Sequence, residues 1–261
     1  VSRLRQRLEC CADPPPKATL HVHKPLDAIF FDIDDTLFST TVFADKARRA
    51  AVDAMIRAGL RTDRNTALRE LEEVLAEFTS NYGNHFDKVI DRLPAEAGQG
   101  VNKAVIVAAG VVAYHDTKWR ELQVHDDVYE VLKWLAGTQL IRGIISAGIT
   151  IKQAEKLVRL QLVEFVTPSA VFFTDQIGFS KANPKLYRRI LQRLRLDPSR
   201  CLYVGDHPTH DIDPCNHEGW HTVRVRRSGK HANENGATNA HWEIRDFFEL
   251  QAILRREFGI E

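Results

Sequence analysis

Apolar residues fall along this chain in two rhythms. Short unbroken runs recur at Asp27–Asp34 (DAIFFDID), in LIRGIIS ending at Ser146, in Val171-FFT, in Cys201-LYVGD and in His221-TVRV. Runs this short, rich in β-branched and aromatic residues, predict strands buried on both faces. Between them, apolar positions recur at three- and four-residue spacing in Asp127-VYEVLKWLAG, Ile151-KQAEKLVRL, Pro184-KLYRRILQRL and Asp246-FFELQAILRREF, and each of these predicts a helix. Alternating strands and helices predict a parallel sheet with helices on both faces, a Rossmann-like α/β core. Ligands of such sheets bind beyond the carboxyl ends of the strands.

One stretch breaks the alternation. From about Val42 to Trp119 only the helical rhythm is found, in ADKARRAAVDAMIRAGL closing near Gly59, in Asn65-TALRELEEVLAEF, and in Asn102-KAVIVAAGVVAYHDTKW. The expected organisation is therefore an N-terminal extension over 1–23, a core formed by 24–40 and 123–261, and an all-helical insert over 41–122. The extension lacks the apolar centre of a secretory signal, and its prolines Pro14 to Pro16 predict an extended leader.

Composition narrows the partners. Lys and Arg total 36 against 35 Asp and Glu, a net charge of +1, so no broad basic field invites nucleic acid or anionic membrane. No apolar run is long enough to span a bilayer. The four cysteines, Cys10, Cys11, Cys201 and Cys215, form no CxxC pair and read as reduced thiols, which gives a cytoplasmic expectation. A monomer and a homodimer fit equally well.

The chemistry gathers at strand ends. Asp32 and Asp34 lie two residues apart, so a strand projects both carboxylates to one side and Phe31 and Ile33 to the other. Two such acids can divide labour, one as nucleophile or metal ligand, the other as general acid and base. Ser146 closes its strand before Ala147 and Gly148, where backbone N–H groups can approach a phosphate. Lys181 precedes the helix that starts near Pro184 and can balance phosphate charge. Asp206 ends another strand and Asp211 follows five residues later, an oxygen pair suited to Mg²⁺. A lone DxD or a lone lysine would be an ordinary turn or a solvated side chain; the ordered set is what carries weight.

FDIDDTL, Ser146, Lys181 and GDxxxxD together resemble the haloacid dehalogenase superfamily of phosphohydrolases, over nearly everything from Leu26 to the end. The helical insert lies where that superfamily places a helical cap, and SNYGNHFD, AAGVVAYHDTKW and RSGKH are similar to an archaeal-type group of Mg²⁺-dependent phosphatases. The resemblance implies Asp32 as nucleophile forming an aspartyl-phosphate, and Asp34 as proton donor to the leaving oxygen and later base for water. It implies Mg²⁺ held by Asp32, Asp206, the Asp34 carbonyl and Asp211. Ser146, with neighbouring N–H groups such as that of Ala147, would hold the phosphoryl oxygens, and Lys181 would neutralise them. Ala182, Ala147-Gly148 and Asp213-Pro214 depart from the usual pattern without removing a catalytic group. The implied substrate is a small phosphorylated metabolite, with the insert supplying selectivity; His85 and Tyr114 stand out within a polar-aromatic set with Asn81, Tyr82, His115 and Lys118. A phosphomutase, a dehalogenase-like hydrolase and a non-catalytic binding module remain the alternatives. His207, His210, His217, His221 and Cys215 crowd the last motif, but their spacing matches no tight zinc pattern. The arginines between Arg188 and Arg200 read as a solvated helix face.

Overall fold

A computed structural model describes residues 23–78, 82–227 and 229–261. The predicted leader, apart from His23, and Asn81 lie outside the described residues.

Six strands form one parallel sheet: β1 (Ala28–Phe31), β2 (Ile141–Ser146), β3 (Val171–Phe173), β4 (Cys201–Gly205), β5 (His221–Val225) and β6 (Trp242–Ile244). Their spatial order is β3-β2-β1-β4-β5-β6. The chain leaves β1 in one direction for β2 and β3, then returns to the other flank at β4. Strand order thus reverses between β1 and β4, where open α/β sheets bind ligands.

Successive residues of β1 serve opposite faces. Ile29 and Phe31 join a cluster with Val128, Val131 and Leu135 of α5 (Asp126–Ala136), Leu157 of α6 (Thr150–Arg159), and Phe247, Leu250 and Leu254 of α10 (Phe247–Phe258). Ala28 and Phe30 join a second cluster with Leu186, Tyr187 and Ile190 of α8 (Pro184–Leu194) and with Cys215 and Trp220. A strand covered on both sides has no polar face, which is why AIFF is unbroken. Burying each of the Val, Leu, Ile and Phe side chains contributes about 1.5–3 kcal/mol relative to exposure.

Between β1 and β2 stand four helices, α1 (Thr40–Arg57), α2 (Arg64–Phe78), α3 (His85–Arg92) and α4 (Lys103–Glu121). They enclose a cluster of their own around Val52, Met55, Leu71, Val74, Val89 and Ile106. Helices α1 and α4 lie close because position 110 is glycine: a Cβ there would stand 2.8 Å from Met55 Cγ.

The structure adds elements that the hydrophobic rhythm did not predict. Helix α1 starts at Thr40, capped by Ser39, whose side chain accepts from Val42 N. Helix α3 is short, and only Val89 and Ile90 of it are buried, too few for a visible period. Strand β6 spans three residues at a sheet edge with only Ile244 buried. The remaining helices are single short turns, α7 (Thr174–Ile177) and α9 (Asp213–His217). Among the described residues no helix is long and apolar enough to cross a membrane.

Candidate active site

The carboxyl ends of β1, β2 and β4 bring the predicted residues together. Asp32 directly follows β1, and its N–H donates to the Val204 carbonyl at 2.9 Å, which extends the β1–β4 pairing by one step. That pairing sets Asp32 beside the end of β4, where Gly205 leads into Asp206. Asp211 is reached through a single wide helical turn, Pro208–Ile212. Its Oδ2 accepts from the His207 N–H at 3.0 Å, and Tyr203 donates to its Oδ1 at 3.1 Å. Glycine at 205 makes room for Asp211, since a Cβ would stand 2.6 Å from Asp211 Cγ and force the carboxylate to move.

Lys181, from the loop before α8, reaches into the middle of these acids. Its ammonium donates to Asp32 Oδ1 and, at 2.7 Å, to Asp211 Oδ1. Asp32, Asp211 and Lys181 are all buried. Burial alone would strip the charge from Lys181, but Asp211 and Asp32 hold it above the usual lysine range. Asp32 is pushed up to about 7 by burial, against the pull of Lys181 and with Asp211 and Asp34 adding repulsion. Asp206 is pushed up to about 9 by burial and by the neighbouring Asp211 and Asp32. One ammonium therefore does not balance three carboxylates.

That imbalance bears on the ion the family resemblance implies. Ligand oxygens of Asp32, Asp206 and Asp211 lie within 4.8 Å of one another, and all three residues are buried. An oxygen-only set with excess negative charge fits a hard divalent cation such as Mg²⁺.

Asp34 borders this cluster, near enough for its charge to raise Asp32, and is half-buried and held from three sides. Lys156 donates to both carboxylate oxygens, at 2.6 and 2.7 Å. Thr40 donates to Oδ1 at 3.0 Å and Gln153 to Oδ2 at 3.4 Å. Gln153 also donates to the Ala147 carbonyl at 2.9 Å and accepts from the buried Ser146 hydroxyl at 3.2 Å. Gln153 and Lys156 are one helical step apart on the buried face of α6. Sequence reasoning missed both. The available signal was a Gln and a Lys on the inward face of the helix that follows the serine motif.

Asp34 also lines a cavity of about 440 Å³ between the helical insert and the sheet edge. His85 and Tyr114 line it from the insert; Ala147, Gly148, Gln153 and Lys156 line it from below. Tyr114 packs edge-on against Phe86, and burial raises its hydroxyl above the usual range. Arg48, Lys118 and Lys152 give the lining a basic character, and burial lowers Lys118 from the usual lysine range. Asp32, Lys181, Asp206 and Asp211 are not part of this lining, so cavity and acidic cluster meet at Asp34.

Of the residues that crowd the last motif, His207 and His210 stay together, their rings stacked 4.0 Å apart, and the other three are dispersed. Cys215 is buried in the core, His221 packs on Trp242 and Phe258, and His217 lies beside Glu218. Asp213, a departure from the expected pattern, receives the N–H groups of Ala237 and Thr238 at 2.8 Å each and so anchors that loop.

A parallel sheet with an acidic cluster at its switch point and a helical insert over it defines a hydrolase of the haloacid dehalogenase kind. Residues 26–217 match the model of the haloacid dehalogenase-like hydrolase family, and the chain belongs to that family. It is 40% identical over 204 residues to a glyceraldehyde 3-phosphate phosphatase of Methanopyrus kandleri, covering 77% of this chain and 84% of that one. It is 36% identical over 236 residues to a protein of the same name from Pyrococcus furiosus, covering 90% and 95%. Among solved structures, the fold is similar to a phosphatase of this family from Thermococcus onnurineus, with a TM-score of 0.61 at 24% identity, covering 89% of this chain and 99% of that one. Of the readings left open by the sequence, the phosphatase stands: the chain is a phosphatase of this family.

Proposed function

We propose that the chain hydrolyses a small triose-type phosphate monoester, the class that includes glyceraldehyde 3-phosphate, through a covalent phosphate on Asp32. The observation that carries this reading is the position of Asp34, shared between the acidic cluster and the cavity. A substrate whose carbon skeleton enters the cavity presents its phosphate to Asp32 and its bridging oxygen to Asp34.

In the first step an Asp32 carboxylate oxygen forms a bond to phosphorus while the bond from phosphorus to the bridging oxygen breaks. Asp34 gives the departing oxygen its proton. In the second step Asp34 takes a proton from water, the water oxygen bonds to phosphorus, and the bond to Asp32 breaks, which restores the carboxylate and releases inorganic phosphate. Lys181 offsets charge on Asp32 and on the transferring group, and the Ser146 hydroxyl holds a phosphoryl oxygen. Asp32, Asp206, Asp211 and the Asp34 carbonyl would hold Mg²⁺, whose positive charge would let one anion approach another. Lys156, Gln153 and Thr40 keep the Asp34 carboxyl turned to the cavity.

The basic lining supports an anionic substrate, and the name shared by the relatives supports a phosphorylated three-carbon aldehyde. The test is turnover across phosphorylated metabolites, run with Mg²⁺ and again in excess chelator. Triose phosphates should head the panel and chelation should stop turnover. A preference for nucleotides or hexose phosphates removes the substrate reading, and full activity in a verified metal-free enzyme removes the proposed cofactor.

A further inference from the structure

We propose that His207, His231 and Glu234 form a second metal site, selective for a borderline transition ion such as Zn²⁺ and separate from the carboxylate cluster. One ligand atom from each of the three lies within 4.8 Å of the others. His231 Nδ1 stands 2.9 Å from Glu234 Oε2. Four bonds of about 2.0–2.1 Å in a tetrahedron place neighbouring ligand atoms roughly 3.3 Å apart, so this pair already approximates one edge. Beyond that carboxylate, the buried His231 Nδ1 has no hydrogen-bond partner among the described residues.

The residues are held in place from below. Arg224, on β5 and only 4% exposed, donates to the backbone carbonyls of His231 at 2.8 Å, of Glu234 at 2.7 Å and of Asp206 at 3.3 Å. One buried guanidinium thus fixes the loop carrying His231 and Glu234 against the turn carrying His207. Thr209 Oγ1 lies 3.4 Å from His207 Nδ1. With Nδ1–H donating to that oxygen, Nε2 keeps its lone pair for a metal, the usual arrangement around a ligating imidazole. His210 and His231 both lie against the His207 ring, with centroids 4.0 and 3.9 Å away, so the two imidazoles that would share the ion face each other and have to turn their nitrogens toward it.

Donor chemistry separates the two sites. Two imidazoles and a carboxylate suit Zn²⁺, Co²⁺ or Ni²⁺, whereas three carboxylates suit Mg²⁺. The sequence concealed this site because His231 and Glu234 belong to an irregular turn, far along the chain from His207. An ion here would tie that turn to the segment between Asp206 and Asp211, which stiffens the strand end holding both acids.

The test uses the full chain in saturating Mg²⁺ with added Zn²⁺, desalted into Mg²⁺ buffer and assayed for zinc by elemental analysis. Co²⁺ is the optical probe, since its visible absorption reports low-symmetry nitrogen and oxygen ligation. One zinc per chain should survive excess Mg²⁺ and raise the thermal midpoint. His231→Ala should weaken zinc retention by at least about 10–100-fold while Mg²⁺-supported turnover without zinc stays unchanged. Asp32→Asn should leave zinc retention intact, with folding of both variants checked by circular dichroism. Full displacement of zinc by Mg²⁺, retention that survives His231→Ala, or retention that depends on Asp32 each overturns the proposal.

Discussion

Replacing Gly205 with alanine tests how closely the acidic cluster is built. The added Cβ would stand 2.6 Å from Asp211 Cγ and 2.7 Å from Asp211 Cβ. Ordinary carbon contacts begin near 3.5 Å, so the carboxylate has to retreat by roughly 1 Å. Asp211 is fully buried and has nowhere to go without loss. A shift of that size stretches its 2.7 Å bond from Lys181 and its 3.0 Å bond from the His207 N–H past useful range. Overpacking of this kind costs about 1–3 kcal/mol of stability. At roughly 2–4 °C per kcal/mol for a chain near this size, the thermal midpoint should fall by about 2–12 °C. Displacing a ligand or its support costs about 10–100-fold in metal affinity. The assay pairs calorimetric Mg²⁺ titration with initial rates across Mg²⁺ concentrations. Gly205→Ala should stay folded, need at least tenfold more Mg²⁺ for half-maximal rate, and recover in part at high Mg²⁺. If the variant binds Mg²⁺ like the parent and turns over normally, Asp211 does not serve the metal and the cluster has been misread.

Other outcomes follow from the same geometry. Asp34→Asn should slow turnover by about 10²–10⁴-fold. Lys156→Met, which removes two charge-assisted bonds to Asp34, should slow it by a lesser factor of about 10–100; equal KM and kcat for the Lys156 variant and the parent would contradict its positioning role. His85→Ala and Tyr114→Ala should reduce kcat/KM for the best metabolite by about 1–3 kcal/mol of transition-state binding, and hardly touch a small aryl phosphate. Equal losses on both substrates would make these residues packing elements. The metal-free protein should lose stability as pH rises from the unfolded carboxylate range, near 3.8, up to about 7 for Asp32 and about 9 for Asp206, because both are raised above their unfolded values and the folded state binds more protons than the unfolded one between those limits. Mg²⁺ should reverse the loss and stabilise most at high pH; a metal-free midpoint that rises from pH 6 to 9 would contradict the raising of these acids by burial and mutual repulsion.

Much of this was legible in the residues because parallel strands write their burial directly into sequence. AIFF and CLYVG are unbroken since both faces are covered, and the acids at their ends stand out for the same reason. Asp32, Ser146, Lys181, Asp206 and Asp211 follow from strand ends and a helix start, and the structure brings them to one edge. Lys156 and Gln153 did not follow. Each looks like an ordinary polar residue of an amphipathic helix until α6 packs against Asp34, 122 and 119 positions earlier in the chain. Helix α3 escaped because two buried residues make no period. His231 and Glu234 escaped because a turn has no period at all, and only the buried Arg224 shows that it is fixed.

Everything proposed for this site turns on phosphate passing through Asp32. The most direct measurement is a rapid acid quench of the Mg²⁺-loaded enzyme turning over a triose phosphate labelled in its phosphate, followed by peptide mapping of the label. The account predicts an acid-stable, hydroxylamine-labile phosphate on the peptide carrying Asp32, absent in Asp32→Asn and more slowly formed in Asp34→Asn. Label on another residue, or undiminished label in Asp32→Asn, would contradict it.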